Sequence, residues 1–334
     1  MAAAEPLRMP LAARGWALPL GLLALSSLLS LGLAVATGSV GVGLHEVWSV
    51  VRGEGDALSR TLILELRLPR ALSAFAVGGL LAVAGALMQV LLRNPLADPY
   101  VLGLSGGAAV GALAAMLAGL GGALITGSAF AGAFISTLLV FGLAHGTGSW
   151  TPSRLLLTGV VVAAGWGAVI TLMLAVSPVE RLPGMLYWLM GDLAHAGAPL
   201  APLALLLVAC LVALPLGRNL NVLARGPLQA AALGVAVRPL EWGIYLMASA
   251  LTAMAVTSAG SIGFVGLVVP HMLRLVLGND QRLILPACAL AGGTLLVLAD
   301  TLARTAIAPE QLPVGVITAL LGVPTFLYLL YRSQ

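Results

Sequence analysis

The chain has 334 residues, 60% of them hydrophobic and 8% charged, against about 25% charged in an ordinary soluble domain, so it lacks the surface of a water-soluble protein. All 16 of its lysine-plus-arginine positions are arginine. Without lysine there is no Walker A phosphate loop and no Schiff-base chemistry, so ATP is not held by a P-loop of this chain.

At about 20 apolar residues per bilayer crossing, the hydrophobic content suffices for roughly ten transmembrane helices. A charge at a helix centre costs about 2.5 kcal/mol or more on insertion, so charge-free windows locate the spans. They run over residues 15–45, 71–92, 99–153, 155–179, 193–217, 242–273, 283–299 and 311–331. In the first window, Arg8 and Arg14 precede an apolar run from Trp16 to Ala36 that ends in Ala34-Val35-Ala36, which resembles a signal-peptidase site. The run is longer than the usual 7–15 residues of a signal core, and a permanent first helix fits it better. Leu44, Val47, Trp48 and Val51 follow at i, i+3, i+4 and i+7, predicting a short amphipathic helix over 43–52 on the outer interface.

The window 99–153 must cross twice, with a break near Gly119–Gly122. Within it Gly103, Gly107 and Gly111 make two G-x-x-x-G steps, a small-residue face for close helix packing inside the chain or across a dimer seam. Tyr187 and Trp188 suit an interfacial aromatic belt. Residues 218–239 form the longest cytoplasmic connection, where Pro227 followed by Leu228, Ala231, Ala232 and Leu233 predicts a short helix with proline in its first turn. The window 242–273 bends around Ser258-Ala259-Gly260-Ser261 into two short helices. The fold class is therefore all-α: one polytopic transmembrane domain over residues 1–334 with about ten spans. An even number of spans puts both termini on one side, assigned to the cytoplasm.

That orientation places ten arginines inside and six outside, in the sense of the positive-inside rule. The pI of 9.6 then reflects basic cytoplasmic loops, and nucleic acid is not a partner. Cys210 and Cys288 stand alone in apolar stretches, and the histidines at 45, 145, 195 and 271 never form an i, i+4 pair, so no metal site is expected. Asp98, Asp192, Glu241, Asp300 and Glu310 all fall at predicted helix ends, leaving the midplane bare. Ion-coupled transporters and intramembrane proteases need ionisable groups there, so a secondary transporter or channel acting without an ATPase is the weaker alternative. A membrane enzyme is weaker still, and the chain is read as a transport protein driven from outside itself.

Leu66-Arg67-Leu68-Pro69-Arg70, Gly85-Ala86-Leu87-Met88-Gln89 and Arg93-Asn94-Pro95-Leu96-Ala97-Asp98-Pro99 occur in that order. Ser153-Arg154-Leu155-Leu156-Leu157, the run Gly263 to His271, Leu298-Ala299-Asp300 with Ala303-Arg304, and Leu312-Pro313-Val314-Gly315 follow. Over roughly residues 60–332 this pattern resembles the FecCD-type permeases of ABC importers. The resemblance implies a homodimeric permease of the bacterial inner membrane, embedded in lipid, with no cofactor of its own. It would pair with two copies of an ABC ATPase and receive a metal chelate (cobalamin, haem or a ferric siderophore) from a periplasmic substrate-binding protein. It further implies that Arg67, Arg70 and Arg304 face outward to dock that protein, and that Asn94 and Leu96 with Pro152 and Ser153 form cytoplasmic gates. Proline at 152 departs from the hydroxyl residue that the pattern would place there. Leu220, Arg225, Gln229 and Gly234, in the segment 220–234, are implied as the coupling contacts with the ATPase.

Overall fold

The computed structural model describes residues 12–38, 44–145, 151–194 and 196–332, and the regular structure among the described residues is helical throughout. In chain order, α1 (Ala12–Ala36) and the short α2 (Leu44–Val51) lead to α3 (Ala57–Arg60), a π-helical stretch Thr61–Arg67 and α4 (Leu68–Leu91). A 3₁₀ turn (Pro99–Leu102) opens α5 (Leu104–Leu117), followed by α6 (Gly122–His145), α7 (Pro152–Ala175), α8 (Leu182–Met190) and α9 (Leu200–Leu223). The chain closes with α10 (Pro227–Ala232), α11 (Val237–Ala259), α12 (Val265–Leu277), α13 (Gln281–Thr305) and α14 (Val314–Arg332).

Set against the expected ten or so spans, seven helical segments are long and apolar enough to cross a membrane, and three shorter apolar helices (α5, α12 and α14) accompany them. The predicted breaks fall at α5–α6 and α11–α12, but of the two short helices expected in the window 242–273 only α12 is short: α11 has 23 residues and is long enough to cross a membrane. The amphipathic segment predicted over 43–52 is helical as α2, with Gly43 outside the described residues, and the Arg52 guanidinium lies 5.0 Å from the Trp48 ring centre. Residues 1–11 and 333–334, which bear on the placement of the termini, lie outside the described residues, as does His195.

The core is organised around α4, which is buried along nearly its whole length from Ser73 to Leu91 by α9, α11, α12 and α13. Its sequence explains why it can occupy the centre: alanine and glycine let neighbouring backbones approach closely. A methyl group on Gly85 would run into the Gly266 carbonyl of α12. The G-x-x-x-G face of α5 is likewise used inside the chain, with Gly107 against Gly132 and Gly111 against Ser128 of α6. The end of that seam is fixed by polar contacts. Ser136 Oγ donates to the Gly103 carbonyl at 2.8 Å and receives Trp166 Nε1–H at 2.9 Å.

Between α11 and α12 the backbone leaves the helix for residues 260–264, with Gly260 and Phe264 at positive φ. Side chains and backbone groups from elsewhere hold this break. Ile262 N–H donates to Tyr100 Oη at 3.1 Å, and Asp192 N–H donates to the Ala259 carbonyl at 2.9 Å.

Candidate functional site

Two polar clusters lie at opposite ends of α4 and α13. Arg70 and Gln89 of α4 are nineteen residues apart, and so are Gln281 and Asp300 of α13. At 1.5 Å per residue each interval spans about 29 Å, close to the thickness of the bilayer's hydrocarbon core. Arg70 meets Asp300 at one end while Gln89 and Gln281 line one cavity at the other, so the two helices run antiparallel and carry polar chemistry to both faces of the membrane.

At the first end, Asp300 holds two arginines. Arg70 Nη2 lies 2.8 Å from Asp300 Oδ1, and Arg304 Nε lies 3.1 Å from Oδ2. Arg70 also donates to Gln311 Oε1 at 2.8 Å and lies 4.0 Å from Asp192. Arg67 and Arg304 serve a further purpose. The last carbonyls of a helix have no intrahelical donor, and α1 solves this with arginines from elsewhere in the chain. Arg67 donates to Val35 O at 3.0 Å and Ala36 O at 3.3 Å, and Arg304 to Ala34 O at 3.2 Å. This engagement leaves Arg67 only 6% and Arg304 only 5% exposed, so of the three implied outward arginines Arg70 stands nearest the rim.

At the second end, the termini of α4, α9 and α13 and the turn before α10 surround a cavity of about 580 Å³. Arg93, Arg225 and Arg274 line it, along with Gln89, Asn94 and Gln281. Arg274 is fixed by bonds to Gln89 Oε1 and to the Ala86 carbonyl. Asp280, the N-cap of α13, accepts from Arg282 Nη2 at 2.7 Å and from Asn221 Nδ2 at 2.8 Å. The bonds from Arg282 hold the Asp280 carboxyl down at about 2. Asp98, beyond the same end of α4, behaves oppositely: burial pushes its carboxyl up to about 6, partly offset by the Tyr100 N–H.

Of the other residues singled out in the sequence, Asn94 and Arg225 line this cavity. Asn94 accepts from Leu96 N–H at 2.9 Å and shapes the turn after α4, leaving Leu96 exposed. Pro152 and Ser153 open α7, capped by Thr151. α10 follows Gly226, ends before Gly234 at positive φ, and is anchored by buried Ala230. Its apolar side chains point away from the protein, with Leu228 85% and Leu233 71% exposed. Arg225 and Gln229 are exposed beside them. Leu220 differs: it is 1% exposed in the core under α9, because it lies three residues inside the helix on its inward face.

Sequence reasoning missed Asp300 as the hub of the first cluster and Gln281 as part of the second. The i, i+4 spacing of Asp300 and Arg304 was a usable signal. The Arg70–Asp300 pair, separated by most of the chain, carried none.

Helices of membrane length, with charge sorted to their two ends, define a polytopic membrane protein. The FecCD transport family model matches residues 22–332. This chain belongs to the FecCD transport family. It is 40% identical over 320 residues to the hemin transport system permease protein HmuU of Yersinia pestis, covering 94% of this chain and 95% of that protein. It is 45% identical over 278 residues to the cobalamin import system permease protein BtuC of Halobacterium salinarum, covering 81% and 74% respectively. Among solved structures, an inward-facing metal-chelate type ABC transporter superposes with a TM-score of 0.83 at 30% identity, covering 94% of this chain and 98% of that one.

Proposed function

We propose that this chain is the transmembrane subunit of an ATP-driven importer that moves a bulky metal chelate, such as haem, cobalamin or a ferric siderophore, into the cytoplasm. The observation that carries the reading is the similarity to haem and cobalamin permeases over most of the chain. In this reading the seven long and three shorter apolar helices make ten crossings, with both termini in the cytoplasm of a bacterium and the chain in its inner membrane. Two copies form a homodimer whose seam is the translocation path, and alternating access is driven by two ATPase subunits. A path walled by small and apolar side chains suits a bulky cargo, since it offers no group that would trap it.

The cluster at Arg70 is then the outer end, where a periplasmic binding protein docks. Arg70, the most exposed of Arg67, Arg70 and Arg304, is the one placed to meet an incoming carboxylate, and arginine's planar fork suits it. Asp300 already holds two of these arginines, so docking exchanges one carboxylate for another. The α10 end faces the cytoplasm. Exposed Leu228 and Leu233, flanked by Arg225, Gln229 and Gly234, form the knob that an ATPase grips, with Leu220 anchoring its base. Asn94, Leu96, Pro152 and Ser153 form the gates nearby.

Reconstitution tests the reading. Liposomes holding the permease, its ATPase and a loaded binding protein should accumulate the chelate only with ATP, and uptake by the permease alone would sink it.

A further inference from the structure

One residue holds both ends of the turn that follows α4. The Gln89 backbone carbonyl accepts Asn94 N–H at 3.2 Å, and the Gln89 side chain donates from Nε2 to the Ala97 carbonyl at 3.3 Å. Within the turn, Ala97 N–H donates to the Asn94 carbonyl at 3.1 Å and Leu96 N–H to Asn94 Oδ1 at 2.9 Å. The turn is thus closed on itself and fastened at each end to Gln89, with Leu96 exposed.

The same carboxamide reaches a third element. Its Nε2 also donates to the Leu267 carbonyl of α12 at 3.3 Å, and its Oε1 accepts from Arg274 Nη1, near the far end of that helix. The surroundings dictate which way the amide points. A guanidinium has only donors and a peptide carbonyl only acceptors, so the oxygen must face Arg274 and the nitrogen the two carbonyls. Among side chains, only an amide carries two N–H donors and a carbonyl acceptor together. Gln89 is 4% exposed, a depth at which each unmatched group is costly. Beyond the turn the chain stays against the start of α12: a methyl group on Gly266 would run into the Pro99 ring, and Tyr100 Oη accepts Ile262 N–H.

We propose that Gln89 is the positioning residue of the cytoplasmic gate: its carboxamide, oriented by Arg274, seats the turn 94–97 against α4 and α12 and so sets where Asn94 and Leu96 stand. The proposal rests on the reading of those two residues as a gate. The seating itself requires neither the ATPase nor the chelate.

The test has two arms. The first is hydrogen-exchange mass spectrometry on the full-length chain alone in phosphatidylcholine nanodiscs. Gln89→Glu keeps an acceptor for Arg274 and removes both donors. Peptides covering 93–98 should then exchange about tenfold faster, the opening expected when two hydrogen bonds of ordinary net strength are lost. Peptides covering 152–158, at the other gate, should keep the parent rate. Gln89→Met, of similar length, should act alike, and decides should Gln89→Glu fail to fold. The second arm measures ATP hydrolysed per chelate delivered in liposomes holding the permease, its ATPase and a loaded binding protein. Gln89→Glu should raise that ratio about threefold, as closure cycles pass through an unseated gate, with binding-protein affinity unchanged. A residue that only stabilised the fold would lower the unfolding temperature and leave the ratio alone. Parent exchange rates in the variants, or faster exchange with an unchanged ratio, overturn the proposal. A parent without ATP-driven uptake sinks the importer reading and the gate with it, yet leaves the exchange difference standing, so the two failures are told apart.

Discussion

The two ends of α4 and α13 use similar residues to opposite effect. Around Asp300 the arginines are paired with carboxylates and helix carbonyls, and two of the three are almost sealed from solvent. Around Gln281 the arginines face open space, and an acceptor is left unfilled. A guanidinium that finishes another helix's hydrogen bonding is a structural tie, whereas one that faces a cavity is available to something else. The contrast teaches that the number of charges at a membrane face says little until their partners are known.

The contrast breaks most severely at its hub. Asp300→Ala strands two arginine side chains, and losing one partner of a buried ion pair costs about 3–5 kcal/mol. Thermal unfolding of the purified protein should show a large drop, well beyond that of Asp280→Ala at the more open end. Next comes the seam that joins the two ends. Gly85→Ala forces α4 away from the Gly266 backbone, an overpacking cost of about 1–3 kcal/mol to be read in the same assay.

Function separates the ends further. Arg70→Glu should weaken binding-protein docking by about tenfold, or about 1.4 kcal/mol, and more at low salt where charges are least screened. Surface plasmon resonance against the binding protein at two ionic strengths checks this. Proline at Gln229 or Ala231, by contrast, should leave docking intact while ATP hydrolysis no longer yields uptake.

A last difference between the ends is in pH. The Asp98 carboxyl, raised to about 6, binds a proton in the folded chain over a range where the unfolded chain has lost it. Its contribution therefore falls as pH rises from about 4 to about 6. Asp280, held at about 2, has the opposite sign: its contribution is present above about 4 and fades as pH falls toward 2. Unfolding midpoints of Asp98→Asn against the parent at pH 4.5 and 6.5 should show the parent's extra loss at the higher pH and none in the variant.

Much of the architecture was legible because insertion into hydrocarbon is a severe local filter. A window free of charge is nearly a helix assignment, and the breaks at Gly119–Gly122 and after Ala259 were announced by glycine and small polar residues. Pro227 marked the start of α10 for an equally local reason. What escaped was tertiary. Whether an arginine faces solvent or a carbonyl depends on which helix end lies beside it, and nothing near Arg67 in sequence announces the carbonyls of Val35 and Ala36. Leu220 likewise shares its segment with exposed neighbours, and only the packing of α9 buries it.

The short helix α12 has a consequence for how the chain is made. Its thirteen residues extend about 20 Å, roughly two-thirds of the hydrocarbon thickness, and the five residues before it are not helical. Exposed to lipid, those peptide groups would have no partners. At that length α12 is a poor membrane span by itself, and its shelter is α4, which packs against it and precedes it in the chain. The order of synthesis, with α4 well ahead of α12, matches that requirement.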